Sequence, residues 1–407
     1  MIVVKRFLQI CGFKFSLLAA FLLLAVTVFL TATSGAALAQ GIETSARHAL
    51  LMEMETGDVL FSKDPETPFP PASMSKMMTV YLAFDQIREG SLSLEDSTRV
   101  SDEAWRRWAG TEASLMFLGA GEEVSVRDLL YGIIVSSGND ACTVLAEMMS
   151  GTEDAFALWM NEKAAEIGMT NSQFKNASGW PADDQYTTAH DLALLAEKTI
   201  RDYPEFYEIY AEKTYTYGKD FRTGEAITQS NRNPLIYRMD GADGLKTGHT
   251  EAAGYGLTGS AIRNGRRLIV VVAGLDSVSA RARESQSLLE YGFRAFDSYS
   301  IFDAGDQIGE ADVWLGKTGT VPLIVKDPLK LTLSRRDRTA LKMVLRYDNP
   351  IPSPIEKGQP VATVTLSAPD LGERQIPVLA GESIEPVSGF GRIGAALEYL
   401  LFGSAGK

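Results

Sequence analysis

Cysteine and histidine are scarce in this chain of 407 residues, which contains two cysteines and three histidines. Cys11 lies in the apolar N-terminal segment, and Cys142 lies inside a second apolar run, where we expect a small buried residue. So few cysteines exclude a disulfide scaffold. His48, His190 and His249 lack the paired spacing of zinc ligands, so neither a metal nor another cofactor is expected.

Positive charge is also in deficit, because 39 lysines and arginines face 52 carboxylates and leave a formal net charge of −13. A nucleic-acid-binding protein presents a basic face to the phosphates. The acidic balance of this chain therefore argues against a nucleic-acid partner.

The N-terminal segment 1–39 has the pattern of a secretory signal peptide. Basic residues precede an apolar run at 15–30, and Ala37-Leu38-Ala39 offers a small-residue cleavage site. The run has 16 residues, fewer than the ~20 that span a bilayer comfortably, so cleavage is favoured over an uncleaved anchor. Cleavage would remove three cations and no carboxylate, which changes the net charge to −16. We therefore expect an exported protein.

A candidate nucleophile is present in the stretch 70–78. Pro70 and Pro71 precede good helix formers, so this stretch is predicted to be a loop that turns into a helix. Ser73 and Lys76 are then one turn apart on one helix face. A hydroxyl nucleophile needs a base, and a lysine amine supplies one if burial or another cation lowers its pKa. A capping serine with a chance lysine has the same spacing, so the context must decide.

The order of helices and strands predicts an α+β domain over residues 41–297, with helices and an antiparallel sheet. A strand, turn and strand are expected over 46–63. Helices are expected at 127–135, 140–149, 152–168, 188–200 and about 280–296, and strands at 244–249, 255–261 and 267–274. Asn264-Gly265 predicts the hairpin turn before the last of these strands.

Residues 298–387 are predicted to form a small all-β domain, because short alternating segments are separated by turns rich in Gly, Pro and Asp. Strands are expected at 321–325, 329–333, 341–347 and 361–366. The tail 388–407 places Phe390, Ile393 and Leu397 on one face of a predicted amphipathic helix. Such a helix either packs on the protein or lies in a membrane interface, and the pattern leaves both open.

Two further short motifs accompany the candidate nucleophile. Ser137-Gly138-Asn139 lies in a predicted loop between helices, and Lys246-Thr247-Gly248 begins a strand at a sheet edge. A leaving amine needs a proton donor, and a substrate that ends in a carboxylate needs a cation and a hydroxyl beside an edge strand. Together with Ser73 and Lys76, these residues form the ordered set S-x-x-K, S-x-N and K-T-G of penicillin-binding proteins and class A β-lactamases.

The chain resembles the low-molecular-mass penicillin-binding proteins that are serine-type D-alanyl-D-alanine carboxypeptidases. The resemblance covers most of the chain after the N-terminal segment, with family-like sequences at 71–79, 114–118, 137–142, 168–171, 231–233 and 244–250. It implies a penicillin-binding/β-lactamase-like transpeptidase domain, followed by a small all-β domain and a C-terminal amphipathic anchor. It also implies peptidoglycan stem peptides ending in D-Ala-D-Ala as substrates, β-lactam antibiotics as covalent inhibitors, and a periplasmic location against the inner membrane.

The resemblance implies roles for the first two motifs. Ser73 is the acylated nucleophile and Lys76 is its base, with Lys246 as the cation that keeps the amine neutral. Ser137 relays a proton toward the leaving D-alanine. Asn139 holds Lys76 and the substrate amide.

The third motif is implied to bind the substrate. Lys246 and Thr247 hold its terminal carboxylate, and Gly248 lets its backbone approach closely. The N–H groups of Ser73 and His249 form the oxyanion hole.

Four further features have open or minor roles. Arg232 belongs to a family-like segment but has no assigned role. Arg267 either adds positive potential near the carboxylate site or is a solvated strand end. Asp183, with Asp184 as a rival, is expected in a loop at the rim of the site. The second Lys-Thr-Gly, at 317–319, lies beyond the catalytic domain and is expected to be a surface turn.

Three other functions remain as alternatives to the carboxypeptidase. A cross-link endopeptidase and a β-lactamase share the acylation step with it. No Glu-x-x-x-Asn segment between the second and third motifs resembles a β-lactamase deacylation loop, so slow release of penicillin is expected. A non-catalytic wall-binding scaffold is a third alternative, although it would need neither nucleophile nor base.

Overall fold

The computed structural model describes residues 42–220, 222–389, 391, 393 and 394. The first nine strands are β1 His48–Glu53, β2 Val59–Lys63, β3 Ser97–Arg99, β4 Glu123–Ser125, β5 Thr214–Lys219, β6 Ala226–Ser230, β7 Ala242–Thr250, β8 Gly254–Arg263 and β9 Arg266–Leu275. Five of them form an antiparallel sheet in the order β2-β1-β9-β8-β7. Strand β9 lies in the middle and is mostly buried, which agrees with its continuous run of valine and isoleucine.

The helices before residue 296 are α1 Lys76–Glu89, α2 Asp102–Trp108, α3 Val126–Tyr131, α4 Asn139–Ser150, α5 Glu153–Ile167, α6 Ala189–Asp202, α7 Pro204–Tyr207, α8 Leu235–Arg238 and α9 Val278–Ala295. The predicted α+β class is therefore confirmed. Thr152 caps α5 by accepting from the N–H of Ala155 at 3.1 Å, and Gly168 ends that helix with φ +92°. The predicted turn between β8 and β9 is also confirmed, since Asn264 and Gly265 both have positive φ.

The turn before α1 and the break before α4 differ from regular helix. Ala72–Ser75 is a 3₁₀ turn that leads into α1 at Lys76. A short π-helix, Gly132–Ser136, follows α3 and ends at Ser137, which has φ +60°. Non-glycine residues with positive φ and single π turns are uncommon and cluster at functional sites. Both irregularities occur at predicted site motifs.

The second part of the chain is rich in strands, as predicted. Its elements are β10 Phe296–Phe302, β11 Gln307–Trp314, β12 Thr320–Ile324, β13 Leu329–Ser334, helix α10 Arg335–Ala340, β14 Lys342–Arg346, β15 Ile351–Pro352, β16 Pro360–Ala368 and β17 Gly372–Ala380. Six strands form a sheet in the order β14-β16-β17-β12-β11-β15, and β10 pairs with β13. The all-β expectation missed the short helix α10, whose start Ser334 caps by accepting from the N–H of Asp337.

The two parts meet at Asp58, which lies just before β2 and is 5% exposed. Its carboxylate accepts from the N–H of Thr332 at 2.7 Å and pairs with the guanidinium of Arg374. Lys330 and Glu55 form a second, exposed pair nearby. The buried carboxylate thus ties the β-rich part to the hairpin of β1 and β2.

Most of the predicted tail helix lies outside the described residues, which omit 390, 392 and 395–407. The predicted signal segment lies outside them as well. Within the described residues, every helix is too short or too polar to cross a membrane.

Candidate active site

Ser73 and Lys76 meet at the junction of the 3₁₀ turn and α1. Lys76 is fully buried, and its Nζ lies 2.9 Å from Ser73 Oγ. Two further oxygens accept from the same amine: Oδ1 of Asn139 at 2.6 Å and the backbone carbonyl of Ser178 at 2.6 Å. The sequence predicted the first two partners, but it gave no signal for the carbonyl of Ser178.

These partners orient the amine. Amide and carbonyl oxygens only accept hydrogen bonds, whereas a serine hydroxyl both donates and accepts. A neutral amine has two N–H groups, so Asn139 and Ser178 take both of them. The remaining lone pair of Lys76 then points to Ser73, whose hydroxyl becomes the donor. The geometry suits proton transfer from Ser73 to Lys76.

The pKa of Lys76 falls from 10.5 to about 8, and burial is the largest cause. The positive charge of Arg232 lowers this pKa further, while the carboxylates of Asp140 and Glu153 raise it. Lys246 was the expected cation. The two buried lysines repel each other, and burial together with this repulsion holds the pKa of Lys246 well below 10.5.

Ser137 and Asn139 are placed by the break between α3 and α4. Ser137 follows the π-helix and has a left-handed backbone conformation, and Asn139 is the first residue of α4. The N–H of Asn139 donates to the carbonyl of Ser114 at 2.8 Å. The buried carboxylate of Asp140 accepts from the N–H groups of Met116, Phe117 and Leu118, which fixes the segment that follows Ser114. Hydrogen bonds made by Asn139 and Asp140 therefore hold the segment 114–118 beside the predicted motif.

Lys246, Thr247 and Gly248 lie on β7, an edge strand of the five-stranded sheet. Lys246 and Thr247 are buried at 3% and 4% exposure. A Cβ on Gly248 would lie 3.0 Å from the carbonyl oxygen of Pro71 and 3.2 Å from Cβ of Ala72. The glycine therefore allows close packing of β7 against the turn that carries the nucleophile.

A pocket of about 240 Å³ opens above these groups. Among the predicted residues it is lined by Ser73, Ser137, Asn139, Thr247, Gly248 and His249, with Lys76 and Lys246 buried beneath. The lining residues that the sequence prediction did not assign to the site include Ser114, Ser178 and Arg281, whereas Trp180 begins the segment that was expected at the rim. The only acidic side chain among the described lining residues is Glu112, which is exposed.

Two arginines make the pocket cationic. Arg281, in α9, is 6% exposed, and its Nε has no hydrogen-bond partner among the described residues. Burial lowers the pKa of Arg281 to about 10 and also lowers that of Arg232, which donates to Ser114 Oγ. A buried guanidinium with an unused donor suits a carboxylate ligand. No sequence motif marks Arg281, because it joins the site only through the packing of α9.

Of the remaining candidate residues, His249 lines the pocket and Arg267 and Asp183 do not. His249 is exposed at the pocket and stacks on Tyr255. Arg267 instead pairs with Asp243 at 2.7 Å and lies outside the described pocket lining. Asp183 also lies outside that lining, to which its segment contributes Trp180.

Two minor expectations are confirmed. Lys317, in the second Lys-Thr-Gly, is exposed and pairs with Glu385 at the surface of the β-rich part. Cys142 is fully buried, and burial raises the pKa of its thiol to about 12, which makes it unreactive.

Comparisons with known proteins agree with this geometry. A family model described as D-alanyl-D-alanine carboxypeptidase matches residues 33–277, and one described as penicillin-binding protein 5, C-terminal domain, matches 296–386. The chain is 35% identical to D-alanyl-D-alanine carboxypeptidase DacC of Escherichia coli, over 90% of this chain and 92% of that protein. It is 32% identical to DacF of Bacillus subtilis, over 89% and 93%.

Solved structures are similar over most of the chain as well. Penicillin binding protein 5 from Haemophilus influenzae superposes with a TM-score of 0.75 at 33% identity, covering 85% of this chain and 99% of that one. The D-alanyl-D-alanine carboxypeptidase DacD from Francisella tularensis gives 0.74 at 32% identity, covering 85% and 95%.

Proposed function

Because the chain belongs to the D-alanyl-D-alanine carboxypeptidase family, we propose that it removes the terminal D-alanine from peptidoglycan pentapeptides through an acyl-enzyme. The predicted transpeptidase fold and the all-β C-terminal domain are confirmed. One observation carries the proposal: the buried Lys76 amine lies 2.9 Å from Ser73 Oγ and is held by two acceptors that leave its lone pair for that hydroxyl.

In the acylation step, Ser73 Oγ attacks the carbonyl carbon of the penultimate D-alanine and passes its proton to Lys76. The N–H groups of Ser73 and His249 stabilise the oxyanion. Ser137, which lines the pocket, relays the proton held by Lys76 to the leaving nitrogen as the C–N bond breaks, and Lys76 becomes neutral again. Water then attacks the ester carbonyl carbon and gives a proton to Lys76. Lys76 passes this proton to Ser73 Oγ as the ester C–O bond breaks and the shortened peptide leaves.

The terminal carboxylate of the substrate binds at the cationic end of the pocket. Lys246 and Thr247 hold it from β7, and the unused Nε donor of Arg281 completes the site from α9. Arg232 adds positive potential and fixes Ser114. Penicillins carry a carboxylate at the equivalent place and acylate the same serine.

Two measurements test the proposal: covalent labelling with fluorescent penicillin, and release of D-alanine from a D-Ala-D-Ala peptide. Wild type is expected to become covalently labelled and to release D-alanine, and Ser73→Ala to do neither. An unlabelled wild type would favour the non-catalytic scaffold. Rapid hydrolysis of benzylpenicillin with intact peptides would favour a β-lactamase, and cleavage of cross-linked dimers in preference to pentapeptides would favour an endopeptidase.

We also propose the chain's organisation and location. Residues 1–39 are a cleaved signal, 41–297 the catalytic domain, 298–387 the β domain and 388–407 a tail that rests on the outer face of the cytoplasmic membrane. The change of matching family model between 277 and 296 supports the domain boundary. Deletion of 388–407 is expected to move the protein from the membrane fraction to the soluble periplasmic fraction, and an unchanged distribution would contradict the anchor.

A further inference from the structure

The carbonyl of Ser178 that accepts from Lys76 belongs to a loop, 176–180, built around one side chain. Oδ1 of Asn176 accepts from the N–H of Gly179 at 2.8 Å, from that of Trp180 at 3.0 Å and from that of Ser178 at 3.3 Å. It also accepts from Ser178 Oγ at 3.2 Å, and Nδ2 of Asn176 donates to the carbonyl of Trp180 at 2.9 Å. Asn176 is 6% exposed. A single amide therefore makes five of the hydrogen bonds that shape the loop.

The loop contacts the site at two points. The Ser178 carbonyl lies 2.6 Å from Lys76 Nζ, and Trp180 lines the pocket. Outside the Asn176 contacts, three side chains hold the loop. Thr79 donates to the carbonyl of Ala177 at 2.6 Å, Glu153 accepts from the N–H of Ala177 at 3.0 Å, and Gln185 donates to the carbonyl of Trp180 at 2.9 Å. These three side chains bind the backbone of Ala177 and Trp180, whereas Asn176 binds the N–H groups of Ser178 and Gly179, which lie on either side of the Ser178 carbonyl.

We propose that Asn176 is a positioning residue for the catalytic base: it aims the Ser178 carbonyl at Lys76 and so directs the lone pair of the amine to Ser73. The inference rests on the proposed function. With the carbonyl in place, both N–H groups of the neutral amine are occupied, and the lone pair has one direction. Without it, the amine rotates, and water enters beside Lys76.

The test is the pH profile of the second-order rate constant for acylation by fluorescent penicillin, compared between Asn176→Ala, Asn176→Asp and wild type. In Asn176→Ala the high-pH plateau is expected to fall roughly 10- to 100-fold, the size of loss that follows misplacement of a catalytic group. The midpoint moves to higher pH, because water entry reduces the burial that lowers the pKa of Lys76.

The Asn176→Asp variant keeps the hydrogen-bond acceptor of the loop but adds a negative charge near Lys76. Its carboxylate still accepts from the loop N–H groups, so the plateau is expected to return close to wild type. Its negative charge favours the ammonium form of Lys76, so the midpoint still moves to higher pH. If Asn176→Ala fails to fold, Asn176→Asp alone decides, since a plateau that fell 10- to 100-fold although its carboxylate still accepts from the loop N–H groups would overturn the proposal.

Asn161→Ala is the matched control. Asn161 donates to the carbonyls of Ala157 and Phe174 and accepts from the N–H of Phe174, all at 2.8 Å, so it anchors the same segment upstream. This variant is expected to lose thermal stability but to keep the wild-type pH profile. Equal profiles for Asn176→Ala and Asn161→Ala would overturn the proposal. A wild type without any label would instead refute the proposed function.

Discussion

The pH dependence of acylation reports directly on the state of Lys76. With a pKa of about 8, its amine is neutral in roughly a tenth of the molecules at pH 7 and in about half at pH 8. An unshifted amine at 10.5 would be neutral in only ~0.03% at pH 7. Acylation is therefore expected to rise about tenfold from pH 7 to pH 9 and then level off.

The assay is the second-order rate constant for fluorescent penicillin between about pH 6 and pH 10, with Ser73→Ala as the blank for non-specific label. Because Arg232 lowers the pKa of Lys76, Arg232→Gln should move the midpoint to higher pH. A rate that climbs about tenfold per pH unit to beyond pH 9.5 would show an amine without a lowered pKa and would refute the reasoning.

The lowered pKa of Lys76 also makes the free energy of unfolding depend on pH. The folded-state pKa of Lys76, about 8, lies below the unfolded value of 10.5, so between these pH values the unfolded chain binds the additional proton. The free energy of unfolding should therefore rise with pH across this window, by on the order of 3 kcal/mol from this buried group. Lys246 contributes with the same sign. Urea unfolding of wild type and Lys76→Met at about pH 7 and pH 9.5 would reveal the difference in slope.

Three further predictions concern binding and packing. Arg281→Gln should raise KM for D-Ala-D-Ala peptides about 10- to 100-fold with a smaller change in kcat, because a charged hydrogen bond to the carboxylate is lost, and an unchanged KM would contradict its role. Gly179→Ala should lower the free energy of unfolding by about 2 to 3 kcal/mol in urea titrations, since its φ is +76° and a Cβ would overlap the carbonyl of Ala72. Arg374→Ala should cost about 1 to 3 kcal/mol by the same measurement, because it leaves the buried carboxylate of Asp58 with one fewer partner, and no loss would contradict a stabilising contact between the two parts.

The local parts of the site could be predicted from sequence because their spacing carries the information. Ser73 and Lys76 need only one helical turn, and a polar break followed by a helix places Asn139. The carbonyl of Ser178 could not be predicted, since every residue has a carbonyl and only the fold selects one. Arg281 was missed for a related reason: it faces the pocket only because α9 packs beside β8.

The hairpin of β5 and β6 was missed as well, although β5 begins with alternating threonines and tyrosines. Much of its anchoring comes from distant polar groups. Tyr215 donates to Asp128 at 2.6 Å, Tyr217 donates to Glu122 at 2.7 Å, and Gln229 donates to the carbonyl of Leu115 at 3.0 Å. Such long-range contacts have no periodic pattern, which is why helices and buried strands were predicted more completely than this element.

Two glycines from distant segments explain how the nucleophile's turn keeps its shape. Ala72 has φ +49°, a left-handed conformation that costs a non-glycine residue roughly 1 to 2 kcal/mol. Gly248 on β7 packs closely against Pro71 and Ala72, and Gly179 packs closely against Ala72 and Ser75. A side chain at either glycine would push the turn away. The Lys-Thr-Gly motif therefore serves acylation twice, because its lysine lies beneath the pocket and its glycine holds the strained turn that presents the serine.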